Sequence, residues 1–126
     1  MEFLGERKTR KDVKSVVEAS LKKGSSAFIF LLYTGDKKPA GVCFFNVCLG
    51  VQSGGRYIWI NEIFVKEEYR GIGYGKAMLE YLENFAKRKK YVYIAAQRDP
   101  KNNNSKMLFN SAKFFEGTVI WMDKKV

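Results

Sequence analysis

The chain has no histidine among its 126 residues and only two cysteines. Catalytic systems of the Ser-His-Asp or Cys-His type are excluded, because each needs an imidazole. With two unclustered cysteines, Cys43 and Cys48, a zinc site is not expected, and we predict no bound metal. The two cysteines lie five positions apart on one predicted strand and should point to opposite faces. We therefore expect two free, buried thiols rather than a disulfide.

Long apolar runs are also missing. No segment reaches the roughly 18 residues that a membrane-spanning helix needs, and residues 1–7 do not resemble a signal peptide. We therefore expect a cytoplasmic protein that does not contact membranes. Hydrophobic residues make up 46% of the sequence, which is enough for one domain over residues 1–126 with its own core.

Acidic residues are scarce relative to basic ones, 13 against 23, and the net charge is +10. This excess favours anionic partners, among them phosphate-bearing cofactors and nucleic acids. A nucleic-acid-binding protein with Tyr57, Trp59, Tyr91 and Tyr93 as stacking groups is one alternative. These aromatics lie within apolar segments, however, which favours positions in a core.

Hydrophobic periodicity and turn residues divide the chain into eight elements. We predict a helix near residues 10–23, strands over 27–33, 41–51 and 56–65, a helix over 76–90, a strand over 91–96, a helix over 105–115 and a last strand over 118–122. The helix over 76–90 lies between two strands, so those strands should be parallel. This order predicts an α/β (α+β) fold with a mixed sheet.

Two adjacent polar residues, Asn61 and Glu62, interrupt the apolar strand over 56–65. Successive side chains of a strand point to opposite faces, so both cannot reach solvent from one side. Either a bulge re-aims one of them or one faces a cleft, and bulges recur next to active sites. An edge strand with one wet face is the alternative.

A glycine-rich loop follows this strand, with three glycines in residues 71–75. Such a loop turns tightly, and its N–H groups lie at the positive end of the following helix, where phosphate binds well. We therefore expect it to hold the pyrophosphate of a nucleotide-like cofactor. It is not a dinucleotide motif, since Lys76 replaces the last glycine. It is not a Walker loop either, since Arg70 and Ala77 stand where that motif needs glycine and a hydroxyl residue.

The spacing Arg70-x-x-Gly73-x-Gly75 resembles the pyrophosphate loop of the GNAT superfamily of acetyl-CoA-dependent N-acetyltransferases, R/Q-x-x-G-x-G/A. The strand end at residues 62–65 is also similar to that family. The resemblance covers about residues 27–123. It implies a GNAT fold, with a mixed central sheet splayed between two parallel strands, helices on both faces and here a shortened N-terminus.

Downstream, Asn102-x-x-Ser105-x-x-x-Phe109-x-x-x-Lys113 resembles the family pattern N-x-x-A-x-x-x-Y-x-x-x-G. Ser105 stands at the alanine of that pattern, and two further positions differ. Lys113 replaces the helix-ending glycine, and Phe109 replaces a tyrosine that often reprotonates the leaving thiolate. Three explanations stay open: Tyr93 or another hydroxyl substitutes, water or the departing ammonium protonates the thiolate, or this member of the family is slow.

The resemblance implies transfer of the acetyl group of acetyl-CoA to a primary amine, either a small molecule or a peptide N-terminus. A protonated amine must lose a proton before it attacks, and Glu62 is our candidate base, acting directly or through a water. Backbone N–H near Phe64 or Val65 would stabilise the oxyanion. The residues implied in cofactor binding are Ile63, Phe64, Val65, Arg70, Gly71, Ile72, Gly73, Tyr74, Gly75, Lys76, Asn102, Ser105 and Phe109.

The resemblance implies a specific contact with the cofactor for each group of these residues. The backbone of Ile63 and Val65 would pair with the pantetheine arm, and residues 71–76 would hold the pyrophosphate. Asn102 would bond the arm from the other side, with a register uncertain by one or two places because two further asparagines follow. We interpret Ser105 as a helix-start residue rather than a catalyst.

Three properties stay open: the acceptor, the level of activity and the oligomeric state. A net charge of +10 would repel polycations such as spermidine or an aminoglycoside at long range, which favours a less basic amine. Phe109 and the short N-terminus leave the alternative of a CoA-binding module with weak or no catalysis. A homodimer could form through the last strand or through the N-terminal edge.

Overall fold

The computed structural model describes residues 2–3, 6–7, 14–15, 17–19 and 21–126. Six strands and two complete helices are defined in these ranges. They are β1 (Glu2–Phe3), β2 (Glu6–Arg7), β3 (Ala27–Tyr33), β4 (Pro39–Gly50), β5 (Gly55–Val65), α1 (Tyr74–Lys89), β6 (Ile94–Ala96) and α2 (Asn103–Ser111), with a short 3-10 turn at Glu67–Tyr69.

The main sheet has four strands in the order β3-β4-β5-β6. The first three are antiparallel neighbours, whereas β5 and β6 run parallel, as expected for strands joined by a helix. The parallel pair is short and ends at Ile60, which lies opposite Ala96. Beyond this point β5 continues to Val65 paired with β4 only, without β6 on its other side. The predicted mixed sheet that splays between two parallel strands is therefore confirmed.

One face of the sheet carries the core. The apolar stripe of α1 consists of Met78, Leu79, Leu82 and Ala86, all of them buried. The stripe packs in one cluster with buried side chains of β4 and β5, namely Cys43, Phe45, Ile58 and Ile60. Each large side chain in such a cluster stabilises the fold by roughly 1.5–3 kcal/mol, so this layer fixes α1 and the start of its N-terminal loop against the sheet.

The helix predicted near residues 10–23 is only partly observed. Residues 14–15 and 17–19 are helical, but residues 21–24 form a turn, so the helix ends earlier than the predicted residue 23. Residues 10–13, 16 and 20 of the predicted helix lie outside the described residues. Two short strands that were not predicted, β1 and β2, pair in a separate two-stranded sheet.

Several boundaries near the C-terminus differ from those predicted. The helix predicted over 105–115 covers Asn103–Ser111. The strand predicted over 91–96 is shorter in the structure and covers Ile94–Ala96. The N–H of Tyr91 bonds the carbonyl of Ala86 at 2.9 Å and completes the end of α1, whereas Val92 and Tyr93 already bond Arg56 and Ile58 of β5 at 2.9 and 3.1 Å.

The prediction of a strand over residues 118–122 is wrong for the single chain. These residues form no strand, and Val119, Ile120 and Met122 are 77%, 88% and 84% exposed. The pattern of apolar, β-branched residues is typical of a strand, but a strand also needs a neighbour to bond.

Both cysteines are free, as expected. Cys43 is fully buried on the core face, and burial raises the pKa of its thiol to about 12. Cys48 lies opposite Tyr57 on the other face and is only half-buried, less than predicted. Within the described ranges, no helix is long and apolar enough to cross a membrane.

Candidate active site

A β-bulge lies at Asn61, in the last third of β5. Phe45 of β4 pairs with Ile60, whereas the preceding residue, Phe44, pairs with Glu62. Asn61 is thus an extra residue on β5 with no partner of its own in the ladder. Of the two explanations that the sequence left open, the bulge is the one the structure contains.

The bulge decides which face Glu62 occupies. Ile58 and Ile60 point into the core, and without the bulge the alternation would continue with Glu62. With the extra residue inserted, Ile63 packs against the core instead. Glu62 and Phe64 consequently lie on the opposite face, with Phe44 as the cross-strand neighbour of Glu62.

Glu62 is half-buried at this position. Burial raises the pKa of its carboxyl above the usual range of a glutamate, because removing the charged form from water is unfavourable. A carboxylate with a raised pKa accepts a proton more readily than a solvated one, which is the property a general base needs.

Asn46 on β4 is the side-chain partner of Asn61, and the sequence alone does not predict this contact. The side-chain amide of Asn61 donates to Oδ1 of Asn46 on β4 at 2.5 Å. This bond ties the bulge to the neighbouring strand on the face that also carries Glu62. Only the register of β4 against β5 brings the two asparagines together, and no local pattern around Asn46 indicates it.

After Ile60, the side of β5 that does not pair with β4 faces a gap, because β6 ends at Ala96. The N–H of Lys66 bonds the carbonyl of Ala40 at 2.8 Å, and the carbonyl of Phe64 lies directly against Gly41. Backbone groups of alternate residues point to opposite sides of an antiparallel strand. The N–H and C=O groups of Ile63 and Val65 therefore face the gap, where an extended ligand could pair with them as an added strand.

Arg70 folds back on the end of β5. Its Nε donates to the carbonyl of Val65 at 2.7 Å, and its guanidinium carbon lies 5.3 Å from the centre of the Phe64 ring. Arg70 was predicted to contact the cofactor. In the structure its side chain caps the end of β5, on a carbonyl that faces the gap. Lys76 is exposed in the first turn of α1.

The glycine loop has the geometry of an anion-binding turn. Gly71 and Gly73 have positive φ angles of 76° and 96°, and a Cβ added at either would meet no atom within 4 Å. Gly73 is the N-cap of α1, and the first backbone bond of the helix runs from Ala77 to its carbonyl at 3.0 Å. The N–H groups of the first turn of α1 therefore have no partners within the helix. Open space, positive φ angles and these donors together fit a pyrophosphate group.

The side chains of this loop differ in exposure. Ile72 is 68% exposed, whereas Tyr74 is half-buried and packs edge-to-face against Tyr69 at a ring distance of 5.7 Å. The aromatic pair fixes the start of α1 to the 3-10 turn, so the loop between them has anchored ends.

Gly75 has a different role from the other two glycines. A Cβ at position 75 would lie 3.0 Å from Cδ1 of Leu108 on α2. The absence of a side chain therefore lets α2 pack closely on the first turn of α1. The glycine spacing alone does not distinguish this packing role from ligand contact.

The start of α2 is capped by the first of the three asparagines. Asn102 is the N-cap, and its side-chain oxygen accepts from the N–H of Ser105 at 3.0 Å. Its amide NH₂ takes no part in this bond. Ser105 lies in the first helical turn, as expected of a helix-start residue.

Phe109 lies in the core rather than on an open surface. It is 7% exposed, and its ring lies 5.1 Å from that of Phe114. Tyr93, one candidate for the missing acid, stacks on Tyr57 at 4.7 Å. Tyr57 precedes Glu62 by five positions, or roughly 15 Å along a strand, and this separation argues against Tyr93 as the proton donor.

A depression of about 520 Å³ lies beside the end of β5, lined by Phe64, Lys66, Glu67 and Glu68. It places carboxylates next to an aromatic face in a chain that is otherwise strongly basic. Among the described residues, no group of three or more metal-ligating side chains is placed to hold a metal ion.

Solved structures with the same fold include several acetyltransferases. A possible acetyltransferase from Clostridium difficile 630 superposes with a TM-score of 0.79 and 19% identity, covering 97% of this chain and 80% of the other. The aminoglycoside 6'-N-acetyltransferase AAC(6')-Ih from Acinetobacter baumannii gives 0.73 and 16%, covering 98% and 85%. An aminoglycoside acetyltransferase from an uncultured soil metagenomic sample gives 0.77 and 16%, covering 96% and 76%. At these identities the likeness establishes a shared fold.

Sequence comparison gives the family itself. No curated protein matches the chain. The family model described as Acetyltransferase (GNAT) family, however, matches residues 2–114, which is most of the chain. The match includes the bulged strand, the glycine loop and α2. The chain belongs to the GNAT family of acetyltransferases.

Proposed function

We propose that this protein is an N-acetyltransferase that transfers the acetyl group of acetyl-CoA to a primary amine by direct attack, with Glu62 as the general base. The observation that carries the proposal is the bulge at Asn61, which moves Glu62 out of the core and onto the face beside the open end of β5. A carboxyl with a raised pKa thus lies next to a strand edge with free backbone groups.

The first step is removal of a proton from the acceptor. Near neutral pH a primary amine is an ammonium ion, and the carboxylate of Glu62 takes one of its protons, directly or through a water. The lone pair released on nitrogen then attacks the thioester carbonyl carbon, and the carbonyl π electrons move to oxygen. The N–H of Val65 is directed towards the gap and is our candidate donor to that oxyanion.

Collapse of the tetrahedral species breaks the C–S bond. The products are the acetylated amine and the CoA thiol, because the nitrogen of the tetrahedral species still carries a surplus proton that passes to the thiolate, directly or through water. Glu62 returns its own proton to solvent. A thiol has a pKa near 8.5, so its thiolate is a competent leaving group without a strong acid. The apolar Phe109 is therefore compatible with turnover.

The residues that would hold acetyl-CoA lie along the gap and the loop. The backbone of Ile63 and Val65 would pair with the pantetheine arm beside Phe64. The N–H groups of residues 71–76 would bind the pyrophosphate, with Lys76 adding positive charge. Arg70 has to leave the carbonyl of Val65 if the arm uses that acceptor. The amide NH₂ of Asn102 would donate a hydrogen bond to the arm from the side of α2.

For the acceptor we propose a small primary amine or a peptide N-terminus. A chain with a net charge of +10 repels polycations at long range. The depression beside Phe64, with Glu67 and Glu68, gives one amino group a local carboxylate environment. Two proteins of similar structure act on aminoglycosides, so that class belongs among the acceptors tested.

The proposal is tested by following thiol release from acetyl-CoA across a panel of amines that includes peptides, small monoamines, polyamines and aminoglycosides. We expect at least one acceptor to give turnover well above the hydrolysis of acetyl-CoA alone. Arg88→Gln, an exposed change on α1 outside the site, serves as the matched control. Absence of turnover with every acceptor, in a protein that binds acetyl-CoA, would favour the second candidate.

The second candidate is a module of the same fold that binds CoA with little or no chemistry. The buried Phe109 favours it, since that position supplies no hydroxyl. Both candidates require stabilisation by acetyl-CoA in a thermal shift assay. They differ only in turnover.

A further inference from the structure

A bidentate ion pair joins the two ends of the chain segment that carries α2. Arg98 lies just after β6, and Glu116 lies beyond α2, 18 positions further along the chain. The Nε and Nη2 atoms of Arg98 donate to the two carboxylate oxygens of Glu116 at 2.7 and 3.0 Å. The two side chains are only 20% and 39% exposed. Two parallel charge-assisted bonds in a partly buried site hold both partners in one geometry.

The other ion pairs in the described part of the chain are longer and more exposed. Each joins residues no more than four positions apart at 3.4–3.8 Å, and both side chains are more than half exposed. Pairs of this kind contribute little to stability. Within the described ranges, the pair of Arg98 and Glu116 is therefore the one that ties distant segments together, and it closes the loop that contains α2.

A hydrogen-bond network continues from Arg98 to the N-cap of α2. The Nη1 atom of Arg98 donates to the carbonyls of Asp99 and Pro100 at 3.3 and 3.4 Å. The carbonyl of Asp99 also accepts from the N–H of Asn102 at 2.9 Å, and its carboxylate accepts from the N–H of Lys101 at 2.8 Å. One shared carbonyl thus connects the ion pair to the backbone of Asn102.

The direction of the Asn102 side chain depends on this backbone. Its amide oxygen is used in the N-cap bond to Ser105, so the amide cannot rotate without loss of the cap. The position of residues 98–102 therefore sets where its NH₂ points. A group that contacts a ligand binds well only when the contacts around it hold it in the productive geometry.

We propose that Arg98 and Glu116 are positioning residues for cofactor binding, which hold the start of α2 so that the amide of Asn102 meets the pantetheine arm. This inference rests on the proposed function, in which that amide binds the arm. Without the ion pair, residues 98–102 would adopt several arrangements in the free protein, and the arm would have to order them when it binds. The ion pair should therefore affect affinity for the arm and leave the pyrophosphate site at residues 71–76 unchanged.

Calorimetry with two ligands tests this inference. Acetyl-CoA carries the arm, whereas 3'-phospho-ADP has the nucleotide and the pyrophosphate of CoA without it. We expect Glu116→Gln to raise the dissociation constant of acetyl-CoA by about 3–10-fold, as loss of one hydrogen bond does, and to leave that of 3'-phospho-ADP within about 2-fold of the wild type. Glu83→Gln, which removes an exposed ion pair with Lys87 on α1, is the matched control and should change neither constant.

Arg98→Lys tests the geometry of the ion pair rather than its charge. An ammonium group keeps the charge but does not form the planar fork that holds both carboxylate oxygens. We expect this variant to weaken acetyl-CoA binding as Glu116→Gln does. Steady-state kinetics should show a raised KM for acetyl-CoA in both variants, with kcat within about 2-fold of the wild type. Circular dichroism checks that both variants fold.

Asn102→Asp tests whether the effect passes through Asn102. Aspartate keeps an oxygen that caps α2 but has no NH₂ to donate. Once this donor is gone, Glu116→Gln should raise the dissociation constant of acetyl-CoA by less than about 1.5-fold further. Full additivity of the two changes would show that the ion pair does not act through this amide, and would overturn the proposal.

Two further outcomes separate the positioning role from the proposed function. Equal losses of affinity for acetyl-CoA and 3'-phospho-ADP, or wild-type binding of acetyl-CoA in both Glu116→Gln and Arg98→Lys, would overturn the positioning role alone. A wild-type protein that binds no acetyl-CoA would overturn the proposed function together with it.

Discussion

Glu62 lies opposite Phe44 on β4, although Ile60, only two residues earlier, lies opposite Phe45. This single shift in register is the reason that a carboxyl group in the middle of an apolar strand does not end up in the core. It also puts Ile63 into the core in place of Glu62. The position of the candidate base therefore depends on the accommodation of Asn61 as a bulge.

Deletion of Asn61 should straighten β5 without moving Glu62 to the other face. Glu62 would then follow Ile60 directly, so regular alternation keeps it opposite Phe44 and keeps Ile63 in the core. The variant loses the bond between Asn61 and Asn46, and we expect the free energy of unfolding to fall by about 0.5–1.5 kcal/mol in urea denaturation. Asn61→Ala loses the same bond but keeps the residue count, and its free energy of unfolding should fall by a similar amount. A loss of about 3–5 kcal/mol in the deletion variant, as an unpaired buried carboxylate causes, would contradict this placement of Glu62.

The stability of Glu62→Gln should depend on pH in one direction. Burial raises the pKa of the carboxyl in the folded state, so the folded protein binds this proton more tightly than the unfolded chain does. The contribution of the group is therefore favourable at low pH and is lost as the pH rises through the folded pKa. Glu62→Gln should melt above the wild type at neutral pH and equal to it below the ordinary pKa of a glutamate. A melting difference that stays constant from about pH 3 to about pH 8 would be inconsistent with this cause.

Gly75 and Leu108 should be energetically coupled. Alanine at position 75 gains up to about 1 kcal/mol of helix propensity. Its Cβ would lie 3.0 Å from Leu108, and crowding of this kind costs about 1–3 kcal/mol. We expect Gly75→Ala to be neutral or destabilising alone and stabilising in a Leu108→Ala background. Urea denaturation of the four proteins of this double-mutant cycle measures the coupling, and strict additivity would show that the contact is unimportant.

Phe109→Tyr tests whether a missing acid limits turnover. The hydroxyl would enter an apolar cluster beside Phe114, which should lower the free energy of unfolding by about 1–3 kcal/mol. Because a thiolate leaves without a strong acid, we expect kcat to change by less than about 3-fold. Steady-state kinetics at saturating acetyl-CoA measure this. A rise of about tenfold or more would mean that protonation of the thiolate limits the wild-type enzyme.

Much of the fold could be predicted because its signals are local. The three long strands and α1 have periodic apolar patterns over many residues, and the observed bounds of β5 and α1 differ from the predicted ones by one or two positions. The glycine loop was identified for the same reason. Its left-handed positions, Gly71 and Gly73, are those where other residues would be strained.

The remaining features depend on contacts between distant parts of the chain. The Asn46 and Asn61 pair, the packing of Leu108 on Gly75 and the fold-back of Arg70 onto Val65 all require the tertiary arrangement. The segment 118–122 has the composition of a strand, but composition does not supply the neighbour that a strand requires.

Glu62→Gln is compared with the wild type in two assays on the same protein. We predict that kcat falls by roughly 10²–10⁴-fold, as loss of a general base does, while the acetyl-CoA dissociation constant from calorimetry stays within about 2-fold of the wild type. The acid limb of the wild-type pH–rate profile should also disappear. Unchanged kcat in Glu62→Gln, with normal acetyl-CoA binding, would contradict Glu62 as the base.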